Sequence, residues 1–328
     1  MTFLLNLITA AVLYGTPLLY GTSGEILTEK SGNLNLGVEG MMFMGGALGL
    51  GAAFYYEKLA GAAVSAPLAV VIAIAASFLA GALAALLFSF LTITLRANQN
   101  VTGLALTIFG TGVGQYIGEF MRVREGTYVA VSNTLKGAFN GSPFPVFLQE
   151  LPVVGRLLFS HSIFTYLGIA MAVAMGLYLH RSRSGLYLRA VGEAPATADA
   201  AGISVTRCKY LATVIGGGIS AIGGMVYIKT VVGGVWNHEG LSGVGWLAVA
   251  LVIFCLWSPY RAIWGSILFG GLYILYLYIP GVGRSTQEIF KMLPYLVTII
   301  VLILTSFRRK RENQPPAGLG LPYFREER

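Results

Sequence analysis

Residues 66–95 read APLAVVIAIAASFLAGALAALLFSFLTITL, a run without a single charged side chain. A helix needs about 20 mostly apolar residues to cross the hydrocarbon core of a bilayer. At 1.5 Å per residue this run reaches about 45 Å, so as a helix it is tilted or projects beyond the bilayer. Uncharged runs of similar character recur outward from it, near 3–20, 40–56, 101–118, 162–179, 211–228, 241–257, 262–280 and 292–307. Together they predict an all-α, polytopic membrane protein with about nine transmembrane helices. Composition agrees. Of 328 residues, 55% are hydrophobic and 11% charged, where soluble domains carry roughly 25% charged residues. The 43 glycines suit helices packed backbone to backbone in lipid.

The basic residues set an orientation. Residues 180–210 hold Arg181, Arg183, Arg189, Arg207 and Lys209, and the tail after Phe307 begins Arg308, Arg309, Lys310, Arg311. Both belong on the cytoplasmic side by the positive-inside rule, and an even number of expected crossings separates them. Arg96 and Arg261 then also lie inside, the N-terminus lies outside, 21–39 faces inward, and the 119–161 connection is extracytoplasmic. This N-out/C-in topology explains the formal charge of +8 through the lipid bilayer, with no nucleic-acid partner. The Arg308–Arg311 cluster reads as an anchor beside anionic lipid. The start of the chain lacks the basic n-region of a signal peptide. The domain reading is one transmembrane domain over 1–307, with its main cytoplasmic loop at 180–210, and a cytoplasmic tail at 308–328.

The expected spans also show an internal pattern. The first four and the last four form four-helix units of inverted topology. In each, a polar stretch precedes the second crossing: Asn-Leu-Asn-Leu-Gly-Val-Glu-Gly at 33–40, and Trp-Asn-His-Glu-Gly at 236–240. Inverted repeats interrupted at corresponding places mark transporters. Polar groups at membrane depth are costly, so they are candidates to line a pathway: Asn33, Asn35, Glu39, Asn98, Gln99 and Asn100. Asn and Gln both donate and accept hydrogen bonds, which suits sugar hydroxyls and base edges alike. Each could equally cap a helix or bond between helices, and Asn98–Asn100 fall at an expected cytoplasmic loop.

Within 180–210, the stretch Gly185–Ile203 reads GLYLRAVGEAPATADAAGI. Pro195 suits the first turn of a helix, Glu193 places negative charge just before it, and Gly202 suits a left-handed cap at its end. The result is a short alanine-rich helix exposed to the cytoplasm, either a plain surface helix or one that slides into a groove on another protein. Other features carry less. Cys208 and Cys255 give no disulfide framework and no metal spacing. His161, His180 and His238 are isolated, which excludes a zinc-protease pattern. Gly216, Gly217, Gly218, Ser220, Gly223 and Gly224 read as helix packing. Trp236, His238 and Glu239 read as facing a binding protein or the pore mouth, and Trp236 equally as an anchor at the membrane interface.

The run Ala190–Ile203, AVGEAPATADAAGI, resembles the coupling loop of ABC importer permeases in the ribose and branched-chain amino-acid superfamily. EKSGNLNLGVEGMM at 29–42 and RANQNVTGLA at 96–105 resemble its nucleoside branch, and the likeness holds in order and spacing over about residues 5–307. The resemblance implies a permease of the inner membrane that takes no cofactor and is not itself an enzyme. ATP would be bound by a partner ABC ATPase. A second permease, making a heterodimer, and an extracytoplasmic substrate-binding lipoprotein would complete the importer. It further implies that Gly192, Glu193, Pro195, Asp199, Ala200, Ala201 and Gly202 couple to the ATPase, and that the cargo is a nucleoside. Consistently, no Gly-x-x-x-x-Gly-Lys-Ser/Thr loop is present. The family often has ten spans, and the external N-terminus fits the lack of the first. The rival readings are a simple-sugar (ribose-like) ABC importer permease, and an ion-coupled secondary transporter. The latter usually shows intramembrane carboxylates, and here only Glu39, Glu119 and Glu239 come close, all near expected span ends.

Overall fold

In a computed structural model, residues 2–281, 283–308 and 314–325 are described. The described residues are predominantly helical, and among them strand pairing is limited to a bridge between Ala130 and Val235. The helices are α1 (Thr2–Glu29), α2 (Val38–Ala60), α3 (Ala66–Ser89), α4 (Gln99–Glu125), α5 (Asn133–Asn140), α6 (Val146–Gln149), α7 (Ile163–Arg181), α8 (Arg183–Glu193), α9 (Pro195–Ala200), α10 (Val205–Val226), α11 (Val244–Phe254), α12 (Pro259–Ile274) and α13 (Arg284–Arg308). Wider π turns extend α3 through Thr94 and α10 through Val231.

Among the described residues, seven helices are long and apolar enough to cross a membrane: 3–29, 38–63, 66–94, 163–181, 205–231, 259–278 and 285–304. They correspond to seven of the expected crossings. The other two behave differently. Helix α4 has ample length, but Gln99, Asn100, Gln115 and Glu119 lower its apolarity. Helix α11, expected over 241–257, is helical only over Val244–Phe254. At 1.5 Å per residue it reaches about 16 Å, half a hydrocarbon core. It begins after Gly243, held at φ 85°, and is followed by Leu256 and Trp257, both left-handed at φ 53° and 54°. One boundary is also corrected. The first helix does not stop near residue 20 but runs to Glu29, so the inward connection is only the buried turn at 30–37. The basic cluster at Arg308–Arg311 lies, beyond Arg308, outside the described residues.

Helix α10 sits at the centre, packed by α1, α2 and α3. Its glycines explain how. A Cβ on Gly216 would collide with the Gly24 carbonyl and the Thr28 hydroxyl of α1, and one on Gly224 with the backbone of Met42 in α2. Without an apolar driving force between helices in lipid, such close backbone contact supplies the dispersion energy of association. Large apolar side chains instead face outward along α3 and α13, among them Leu79, Leu83, Ile299 and Ile303. That is the surface a bilayer or another apolar partner covers.

Candidate functional site

The turn at 30–37 is tied to several elements at once. The Asn35 side chain donates to Glu25 Oε2 of α1 at 3.3 Å, and its backbone N–H to Glu25 Oε1 at 3.2 Å. Asn35 Oδ1 accepts from Gly37 N at 2.9 Å, which closes the turn locally. The Leu34 N–H donates to Gln99 Oε1 at the start of α4 at 2.6 Å, and Thr107 of α4 donates to the Leu36 carbonyl at 2.6 Å. Asn33 Nδ2 reaches Thr213 Oγ1 of α10 at 3.1 Å, whereas its Oδ1 is buried with no hydrogen-bond partner among the described residues. Just before the turn, Glu29 accepts the indole N–H of Trp257. Burial and the Arg189 guanidinium hold Lys30 below the usual lysine range.

Glu39 stands at the start of α2, only 6% exposed. Its carboxylate accepts three backbone N–H groups from the first turn of α11: Gly243 at 2.6 Å, Gly245 at 2.6 Å and Trp246 at 3.2 Å. Helix N-termini leave unpaired donors and carry partial positive charge, so a carboxylate there is doubly favoured. The first of the two polar stretches thus caps the helix that follows the second.

Of the pathway candidates, Asn33, Asn35, Glu39 and Gln99 gather around the 30–37 turn and the beginnings of α2 and α4. Asn98 is the N-cap of α4, its Oδ1 accepting from Val101 N at 3.1 Å, and both it and Asn100 are exposed. Sequence reasoning missed Glu25, Thr213, Trp257 and Lys209. Lys209 is buried on α10 and shares a small pocket with Asn33, Thr92 and Gln99. The Glu25/Glu29 spacing of four was the available signal, since it places both carboxyls on one helix face.

The coupling candidates form a helical hairpin. Ser182 caps α8 through Gly185 N at 2.9 Å. Pro195 opens α9. Gly202 sits at φ 83°, with its N–H on the Asp199 carbonyl at 3.0 Å and the Ile203 N–H on Ala198 at 3.0 Å, the left-handed cap that the sequence predicts. Val191, Ala198 and Val205 pack beneath, while Glu193, Ala200, Ala201 and Gly202 face solvent. Gly192 is buried against the Lys30 carbonyl, so the hairpin touches the 30–37 turn directly.

Residues 5–302 match the family described as branched-chain amino acid transport system / permease component. Three named relatives align over nearly their whole length. A putative glucose ABC transporter permease protein of Haloferax volcanii is 33% identical, covering 99% of both chains. The guanosine ABC transporter permease protein NupQ of Bacillus subtilis is 30% identical over 98% of this chain and 97% of its own. The nucleoside ABC transporter permease protein NupC of Lactococcus lactis is 30% identical over 92% of each. Permeases of this kind are the membrane components of ABC transporters, working with ATPase and substrate-binding components. With its membrane-crossing helices, this chain is a multi-pass protein of the cytoplasmic membrane and belongs to the branched-chain amino acid transport system / permease component family of ABC transporters.

Proposed function

We propose that this permease carries nucleosides into the cell as one half of a heterodimeric pore, fed by an extracytoplasmic binding lipoprotein and driven by ATPase subunits that dock on α9. The observation that carries the cargo is the pair of nucleoside and guanosine permeases matched over more than nine-tenths of the chain. The site chemistry agrees. Asn33 and Gln99 are neutral and keep hydrogen-bonding capacity that the turn does not use, which suits ribose hydroxyls and base edges without an ionic partner, whereas both ends of the Asn35 amide are already engaged. The one carboxylate among the candidates beside them, Glu39, is already occupied by the α11 terminus. The zwitterion of a branched-chain amino acid would call for a charged or dipolar counter-site. The permease holds no nucleotide loop of its own, so hydrolysis belongs to the partner.

A simple sugar is the second reading, favoured by the 33% identity to the putative glucose permease. Uptake of labelled uridine, adenosine, guanosine, ribose, glucose and leucine, in cells with and without this subunit, separates them. Loss of nucleoside uptake is the expected result. Loss of ribose or glucose uptake alone moves the cargo to the sugars. Gentle detergent purification should bring down an ATPase, a second permease and a lipoprotein.

A further inference from the structure

The described part of the tail, Gln314–Arg325, is laid across the hairpin that carries α9. Its Gly318 N–H donates to the Gly192 carbonyl at 2.8 Å, and its Ala317 N–H to Glu193 Oε2 at 3.4 Å. Tyr323 OH donates to Asp199 Oδ2 at 2.9 Å, and Arg325 Nε lies 3.2 Å from the same oxygen. The Tyr323 ring packs on the small cluster of Val191, Ala198 and Val205 beneath α9.

The other edge of the same segment touches the bundle. Gly318 and Gly320 lie against Gly32 and Leu34 of the 30–37 turn. The Arg96 guanidinium, just before α4, stacks over Phe324 at 4.6 Å. Pro322 and Tyr323 line the same small pocket as Asn33, Gln99 and Lys209. Prolines at 315, 316 and 322 restrict the backbone of this stretch, which lowers the entropy lost on docking. A chain terminus without such ties is ordinarily poorly ordered.

Helix α9 by itself packs on α8 and α10. Through the tail it also reaches the 30–37 turn and the start of α4. We propose that Gln314–Arg325 is a strut that carries displacement of α9 to that turn, with Pro322 and Tyr323 sealing the polar pocket until α9 moves. This rests on α9 being the element on which the ATPase docks. Movement of α9 by a few ångströms breaks or drags the bonds at Gly192 and Asp199, and Tyr323 leaves the pocket with them. The tail then acts as a gate on the cytoplasmic side.

The geometry supplies a reversible lock. A Cβ built on Gly320 lies 4.0 Å from Leu34 Cβ, within the ~3.5–4.5 Å that a disulfide spans, although a cysteine there must adopt the left-handed backbone that Gly320 holds at φ 79°. The test is the complete transporter carrying Leu34→Cys and Gly320→Cys in a Cys208→Ser background, reconstituted in vesicles with ATP and labelled guanosine, and glucose in parallel. Bridge formation is followed by peptide mass spectrometry. Oxidation should lower uptake at least tenfold and reductant should restore it, while each single-cysteine variant ignores both. Equal transport by fully bridged and reduced protein would overturn the gate. Should the bridge fail to form, a chain ending at Asn313 decides: the strut requires that uptake per ATP hydrolysed fall at least tenfold, and an unchanged ratio refutes it. Absence of uptake by the unaltered, reduced complex would count against the importer reading and not against the strut.

Discussion

Replacing Glu39 separates a structural cap from a pathway group. Its two carboxylate oxygens accept three N–H groups at 2.6, 2.6 and 3.2 Å. In Glu39→Ala, the first turn of α11 keeps those donors in a site where the wild-type residue is 6% exposed. Hydrogen bonds to a charged acceptor contribute about 1.5–3 kcal/mol each, and an orphaned buried donor costs about 1–3 kcal/mol. The two short bonds dominate, and water entering the vacated space recovers part of the loss. The expected destabilisation is therefore about 3–5 kcal/mol. Glu39→Gln retains one acceptor oxygen but turns the other into a donor facing donors, and removes the charge at the helix terminus, for a cost of about 2 kcal/mol. The assay is denaturant unfolding of the detergent-purified subunit, followed by tryptophan fluorescence, with Trp246 in the first turn of α11 and Trp257 just after its end. The order wild type, Gln, Ala is required. An Ala variant as stable as wild type, with only its apparent affinity for cargo altered, would refute the capping role and return Glu39 to the pathway.

Gly216→Leu drives a side chain into the Gly24 backbone and should abolish accumulation of folded protein, read by fluorescence-detected gel filtration, whereas Ile215→Leu on the half-exposed neighbouring face should not. Gly202→Val meets no atom of the described residues within 4 Å, so its cost there is that of the left-handed backbone, about 1–2 kcal/mol; it should uncouple uptake from ATP hydrolysis without lowering expression, and Gly202→Asn, which tolerates that conformation, should retain most transport. Reporter fusions after residues 100, 140, 195 and 315 should read inside, outside, inside, inside, and an inside reading at 140 would overturn the proposed orientation.

The parts of this fold that depend on local chemistry were legible in the sequence. Uncharged runs mark the long helices because lipid admits few alternatives to a helix whose backbone bonds are internal. Pro195 and Gly202 mark both ends of α9 because their backbone preferences act within a few residues. Legibility fails where a distant partner changes the local rule. Glu25 and Glu29 read as the end of a span, yet α1 continues through them because Asn35 and Trp257 supply donors. The 241–257 run reads as a crossing, yet helix is present only within it, since the carboxylate that satisfies its first turn sits about two hundred positions earlier. Neither hydropathy nor motif marked the tail, whose partners Gly192 and Asp199 lie more than a hundred residues away.

These exceptions share a location and a physical cause. Buried termini and buried carboxyls are tolerated only where other groups satisfy them, so each one binds its neighbours together. The 30–37 turn is held by α1 through Glu25, by α4 through Gln99 and Thr107, and by α10 through Thr213. The hairpin of α8 and α9 rests on the same turn through Gly192 and Lys30. Two residues after the turn ends, Glu39 holds α11, and one residue before it begins, Glu29 holds the far end of α11 through Trp257. The turn that Gly192 touches is thus joined to both ends of α11, a half-length helix whose middle residues Leu247, Ala248, Leu251 and Val252 lie in the apolar core. Long helices packed glycine to glycine resist sliding, because their backbones interlock. The α1–α10 pair is such an interlocked frame, and α11 is joined to the bundle both by the apolar packing of its middle and by carboxyl groups at its two ends.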